Sequence, residues 1–274
     1  MTNKYVTGAD FLKWTTPQDQ TADTTDDAVI SDILDAASRF VDSKTGRTFY
    51  PRIETRSFDI PGGRELLVDD DLLSVITLTN GDDTTIASTE YNLFPKNDSP
   101  HSGLKLKSTS SEYWQLDTNG GDEWVIDIHG EWAYHNRYAH SGWVSGGTLG
   151  AEIADTTTLA FTMTAGHSLV ADQIVKIENE LYNIDTVASV ITPALRGDNG
   201  STAATHANGT TVYIWQPQDD ISQAVKLIAQ SLYRRFGHPN QSDESIVTAS
   251  GVVVTPKDVP GIAARAIRLH MRIQ

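Results

Sequence analysis

At 274 residues the chain can bury one large core or two smaller ones. It has no cysteine, which excludes a disulfide framework and a thiolate metal site. Its formal net charge of −15 argues against a surface that wraps nucleic acid, yet suits a channel through which DNA slides without adhering.

The charge is uneven. Residues 1–150 hold 12 Lys+Arg against 24 Asp+Glu, residues 151–218 hold 2 against 7, and residues 219–274 hold 7 against 5. The C-terminal stretch is therefore the basic part of an acidic protein. The opening MTNKYVTGADF lacks a charged n-region and an apolar core, so no signal peptide is expected. No apolar run approaches the length of a membrane span. The expectation is a soluble protein used without secretion and without a membrane.

In chain order, Thr7-Gly8-Ala9-Asp10 reads as a capping box that opens a short helix through Phe11, Leu12 and Trp14. A polar loop over 17–25 follows. Thr25, Asp26 and Asp27 then offer N-cap oxygens and negative charge. Val29, Ile30, Ile33, Leu34, Ala37, Phe40 and Val41 form a helical stripe, and Lys44, Gly46 and Pro51 end it. Strands are expected at 55–60, 65–68, 72–79, 90–95, 104–106 and 124–130. Turns are expected at Pro61-Gly62-Gly63, at Asp69-Asp70-Asp71 and at Asn80-Gly81.

The exit of the long helix, with Ala37, Ser38, Asp42, Thr45, Gly46, Arg47 and Phe49, resembles the head–tail connector (adaptor) proteins of tailed bacteriophages. The series that follows extends the resemblance over 1–134: Leu73 to Ile76, then Tyr91, Leu93 and Pro95, then Gly130 and Trp132. Simple connectors pass from that Gly-x-Trp almost directly to the next helix. Here 137–216 intervene as a Gly/Tyr/His/Trp loop and a compact β text. Its run from Leu195 to Thr210 resembles small β modules of phage tail and connector proteins. The expected fold class is thus α+β: a helical connector core with a small β-sheet, discontinuous over 1–136 and 217–274, plus an inserted all-β, barrel-like domain over 137–216.

A second long helix starts at Asp219-Asp220 with Ile221, Ala224, Val225, Ile228, Leu232 and Phe236 as its stripe, and Gly237 and Pro239 stop it. A strand or extended arm is expected over 246–255, with Gly251 inside it. A last helix starts at Val259 or Pro260. It carries Ile262, Ala266, Leu269 and Ile273 beside Arg265, Arg268 and Arg272, which are spaced to share one face.

Other candidate chemistry is weak. His129, Glu131, His135 and His140 lack the spacing of a helical metal pair. Asp69 to Asp71 lacks the glycine and final glutamate of a calcium loop. Gly166-His167-Ser168 lacks the second glycine and the strand–turn–helix setting of a nucleophile elbow. No catalytic residue, cofactor or metal is expected.

The resemblance implies a structural virion protein of the neck, assembled in the host cytoplasm. It implies a homo-oligomeric ring, in the virion a dodecamer, below the portal protein and above a tail-side stopper or tail-completion protein. DNA would pass through without specific binding. The family's C-terminal region reaches the portal, which makes Ile262, Arg265, Arg268, Leu269, Arg272 and Ile273 the candidate docking residues. The alternative is a carbohydrate-binding or carbohydrate-cleaving β protein, motivated by Trp132, Tyr134, Tyr138 and Trp143.

Overall fold

The structure is a computed structural model and describes residues 3–16, 25–137, 142–237, 246–247, 253–254 and 259–272. The chain divides into two compact units. One comprises Met1–Gly46, Val170–Gln173 and Pro217–Gln274, the other Arg47–Leu169 and Ile174–Gln216.

The first unit holds the helices. α1 (Gly8–Thr15) opens as the capping box requires, with the Asp10 N–H donating to the Thr7 hydroxyl at 3.1 Å. α2 (Asp27–Thr45) buries Ile30, Leu34, Ala37, Ser38, Val41 and Thr45. Asp26 stands at its N-cap without a side-chain cap bond, and instead accepts from the Tyr233 hydroxyl at 2.8 Å. Gly46 takes the left-handed conformation, φ 65°, and its N–H reaches the Asp42 carbonyl at 2.8 Å. Ser38 is buried because it accepts from the Tyr5 N–H at 3.2 Å while donating to the Leu34 carbonyl. The Tyr5 hydroxyl donates in turn to Asp42. Ser38 and Asp42 of the helix exit thus hold Tyr5.

α3 (Asp219–Gly237) packs on α2, and its Ile221, Ala224, Val225, Ile228 and Ala229 are buried. The expected arm over 246–255 appears as two short paired strands, with its other residues, like the 17–24 loop and Pro239, outside the described ones. α4 (Gly261–Leu269) closes the unit against α3.

The second unit is all β and corrects the expected fold class. Its strands are β1 (Arg52–Phe58), β2 (Glu65–Thr79), β3 (Tyr91–Phe94), β4 (His101–Leu106), β5 (Ile126–Trp132), β6 (Trp143–Thr148), β7 (Ile174–Ile177), β8 (Glu180–Val187), β9 (Ile191–Arg196) and β10 (Thr211–Trp215). The first five form one antiparallel sheet in the order β1-β5-β2-β4-β3, and the next five another in the order β6-β10-β7-β8-β9. β11 (Ile246–Val247) and β12 (Val253–Val254) are the arm pair of the helical unit. The protein is therefore mostly β, with four helices among the described residues, and not a helical core with a small sheet. The two outer strands of the second sheet, β6 and β9, are bridged by the 161–164 segment: Phe161 and Ile191 of β9 exchange backbone bonds at 3.0 and 2.8 Å, and the Thr164 N–H donates to the Thr148 carbonyl of β6 at 2.9 Å.

Part of the error lies at Asp69-Asp70-Asp71. These residues are no turn. They lie inside the 15-residue β2, where the pairing with β4 shifts register between Leu67 and Leu72. Three carboxylates in a strand are tolerable because arginines meet them. Asp70 accepts from Arg52 at 2.6 Å and Arg56 at 2.8 Å, Asp69 accepts from Arg56 at 2.9 Å, and Asp71 accepts from Arg47.

The Gly-x-Trp motif has an equally local cause. A Cβ on Gly130 would lie 2.7 Å from the Ser74 carbonyl oxygen, where β2 bulges against β5. Trp132 is fully buried, donates from Nε1 to the Glu54 carbonyl at 3.1 Å and carries the Arg56 guanidinium 5.0 Å over its ring.

Each sheet has its own core. Phe58, Leu66, Leu72, Leu78, Leu104, Ile128 and Trp132 fill the first; Phe161, Val175, Ile177, Tyr182, Ile184, Val212 and Ile214 fill the second. A seam joins them: Leu73, Ala133, Ile174 and Trp215 bury together, and the Trp215 Nε1 donates to the Phe49 carbonyl at 2.9 Å.

Candidate docking surface

Small side chains bring α4 close to its neighbours. Ala263, Ala266 and Ile267 are buried, while Ile262 and Leu269 are 72% and 70% exposed. Two bonds fix the helix's end. His270 meets Asp220, in the first turn of α3, at 2.6 Å, and the Arg272 N–H donates to the Thr45 carbonyl at 2.8 Å. Burial pushes the Asp220 carboxyl up. The His270 bond and charge and the Ile221 N–H outweigh it and hold this carboxyl below its usual range.

The outer face of α4 then follows from spacing. Ile262, Arg265 and Leu269 lie three and four apart, and Arg268 is exposed beside them. Ile262 and Leu269 are thus exposed apolar residues about two helical turns apart, flanked by guanidinium groups. Among the described residues neither Arg265 nor Arg268 has an acidic group within ion-pair distance.

The structure brings four of the six candidate docking residues together, Ile262, Arg265, Arg268 and Leu269. Arg272 is half-buried beside Gly46, and Ile273 lies outside the described residues. Ala266, read as part of the exposed stripe, faces inward.

A groove on the neighbouring face of α4 was not legible in the sequence. It has a volume of about 220 Å³ and is lined by Phe40 and Lys44 of α2, by Val259, and by Ala264, Ile267, Arg268 and Met271. Phe40 belongs to the predicted α2 stripe but is only half-buried, and the exposed Lys44 ammonium sits 5.5 Å from its ring centroid. The groove is apolar within and basic at its rim.

No protein-family model matches this chain, and no curated protein matches it either. The functional reading therefore rests on these surfaces and on the motif resemblance.

The remaining candidates are in structural use. Glu131 is buried and accepts from Trp143 Nε1 and, at 2.8 Å, from Lys176, whose ammonium lies 4.4 Å from the Trp143 ring centroid. His129 meets the Thr55 hydroxyl at 3.2 Å. His135 is buried against Trp215, ring centroids 5.5 Å apart. His140 and Tyr138 lie outside the described residues. No group of three or more His, Asp and Glu is placed to hold a metal among the described residues. Of the aromatic residues of the alternative, Trp132 is buried, Trp143 packs on Trp215 with ring centroids 5.0 Å apart, and Tyr134 meets Phe49 edge-on with the Arg47 guanidinium 4.3 Å from its ring centroid. Nor is any helix among the described residues long and apolar enough to cross a membrane.

Proposed function

We propose that this chain is a head–tail connector subunit of a tailed bacteriophage virion, forming a ring under the portal. The observation that carries the reading is the fixed, outward-facing C-terminal helix of an acidic protein, with Ile262, Leu269, Arg265 and Arg268 exposed together. The motif residues support it through their local roles. Gly46 ends α2 in the left-handed conformation, and Phe49 is buried edge-on to Tyr134. In this reading the C-terminal helix docks on the portal, the acidic body lines a channel that DNA traverses without adhering, and no catalysis is involved. The test is negative-stain microscopy of the purified protein with its portal. Rings seated on the portal are expected, and a protein that never joins it would overturn the reading.

The division into a 1–136 plus 217–274 core and a 137–216 insert belongs to the same proposal. Replacing 137–216 by a Gly/Ser linker uncovers Leu73 and Ala133 at the seam but leaves the first sheet's own core. The shortened protein is expected to give a cooperative melt at a lowered temperature. An aggregate without β circular dichroism would discard the division.

A further inference from the structure

The segment from Glu112 to Trp124 has the opposite character to the α2–α4 groove. Trp124 is 70% exposed, Tyr113 62% and Leu116 50%. Asp122 and Glu123 precede the tryptophan and are exposed, Asp117 is half-buried, and the exposed Asp59 lies at its N–H.

The backbone of this segment is nevertheless pinned. Asn80, itself buried, donates to the Tyr113 carbonyl at 2.8 Å and accepts from the Gln115 N–H at 2.9 Å. Gly81 is obligatory beneath it, because a Cβ there would stand 2.1 Å from the Gln115 carbonyl oxygen. The Ile60 N–H holds the Asp122 carbonyl at 2.9 Å, and Asp59 holds the Trp124 N–H at 2.9 Å. Trp124 itself sits at φ 57°, a left-handed conformation rare for a bulky residue. Such strain on a well-bonded backbone marks sites where position matters. A large aromatic side chain held out of the core on a fixed backbone is also preorganised for an interface.

We propose that the Trp124 loop of one copy of this chain seats in the α2–α4 groove of the next. The charges match: Asp122 and Glu123 on the loop face Lys44 and Arg268 on the groove rim. The size matches too. At about 220 Å³ the groove is below the roughly 300–1,000 Å³ of small-molecule sites and suits one large side chain. Loop and groove are different patches, so the contact is head-to-tail and repeats from copy to copy. That it closes as a ring under a portal rests on the connector reading; the pairwise contact does not.

The absence of cysteine allows a direct test. One chain carries Glu123→Cys and another Met271→Cys, and the two are mixed at about millimolar concentration, comparable to that between neighbours in an assembly, with a short bismaleimide. The mixture is expected to yield a cross-linked dimer about ten-fold or more above either chain alone. Adding Trp124→Ala to the first chain, or Lys44→Glu with Arg268→Glu to the second, should remove that excess. A mixed yield no higher than the single chains, or one that Trp124→Ala leaves unchanged, overturns the contact. Microscopy of Trp124→Ala with portal separates the two claims. Intact rings there would discard this contact and leave the connector reading standing. A specific cross-link without any rings on the portal would do the reverse.

Discussion

Reversing the basic face of the C-terminal helix, Arg265→Glu with Arg268→Glu, is expected to leave a folded subunit that no longer attaches to a portal, giving filled heads without tails. The exposed guanidinium groups stand beside exposed Ile262 and Leu269, so charge sets recognition while the apolar surface supplies affinity. Truncating desolvated interface charges typically costs a few kcal/mol, about two or more orders of magnitude in affinity. Far-ultraviolet circular dichroism checks the fold, and particle counts by microscopy check attachment. A smaller variant, Ile262→Asp with Arg265→Glu, leaves Arg268 and the α2–α4 groove intact and should lose the portal alone. Tailed particles at parental yield from the double variant would reduce this face to a solvated one.

The second large effect lies in the second sheet, where Glu180→Ala is expected to lower stability by about 3–5 kcal/mol, because it strands buried positive charge. The Glu180 side chain is fully buried. It accepts from Arg196 Nε at 3.0 Å and Nη2 at 3.1 Å, from the Ala204 N–H at 2.9 Å, and meets His206 Nε2 at 2.8 Å. Arg196 reaches on to the carbonyls of Asp155 and Thr158 at 2.7 and 3.0 Å, so one guanidinium ties the 155–158 turn to the 195–206 loop. A loss of this size lowers the thermal midpoint by several degrees. Glu180→Gln, which keeps the shape and half the bonds, should lie between. A change within about 0.5 kcal/mol for Glu180→Ala would show that the network is not coupled to folding.

The same network sets a pH window. Burial pushes the Glu180 carboxyl up, but bonds from His206, Arg196 and the Ala204 N–H outweigh it and bring it down to about 2. A depressed carboxyl stabilises the fold above its unfolded value, roughly 4.3, and that contribution drains away as pH falls toward about 2. For His206, burial pulls the imidazole down, and the bonds and charges of Glu180 and Glu178 raise it above its ordinary value. Its contribution is full below the unfolded value, about 6.5, and is lost as pH rises through the raised one. Both contributions are therefore complete between about pH 4.5 and 6.5. The melting temperature of the parent should fall on either side of that interval more steeply than that of Glu180→Gln.

The helices were legible in the sequence because their causes are local. A capping box at Thr7, a period of 3.6 from Ile30 to Val41, a left-handed glycine at Gly46 and paired aspartates at Asp219 act within a few residues of where they are written. The face of α4 was legible only in part: spacing groups Ile262, Ala266 and Leu269 beside Arg265, Arg268 and Arg272, but packing buries Ala266 and half-buries Arg272 beside Gly46. Strand positions were largely readable from β-branched runs and turns. Their continuity was not. Nothing next to Asp69-Asp70-Asp71 in the chain announces that Arg47, Arg52 and Arg56 will meet it, so the segment reads as a turn and folds as the middle of β2. The balance of helix against sheet was missed with it, because the extent of a sheet depends on partners far along the chain. The α2–α4 groove is of the same kind. Phe40 and Met271 come from distant positions, and whether an apolar side chain ends in a core or at an open rim depends on what packs beside it. Composition and local periodicity thus determined the helices, the acidic body and the basic C-terminal face. Tertiary packing alone decided which charges are neutralised, how far each strand runs and which apolar residues stay open, because those depend on contacts between residues that the sequence keeps apart.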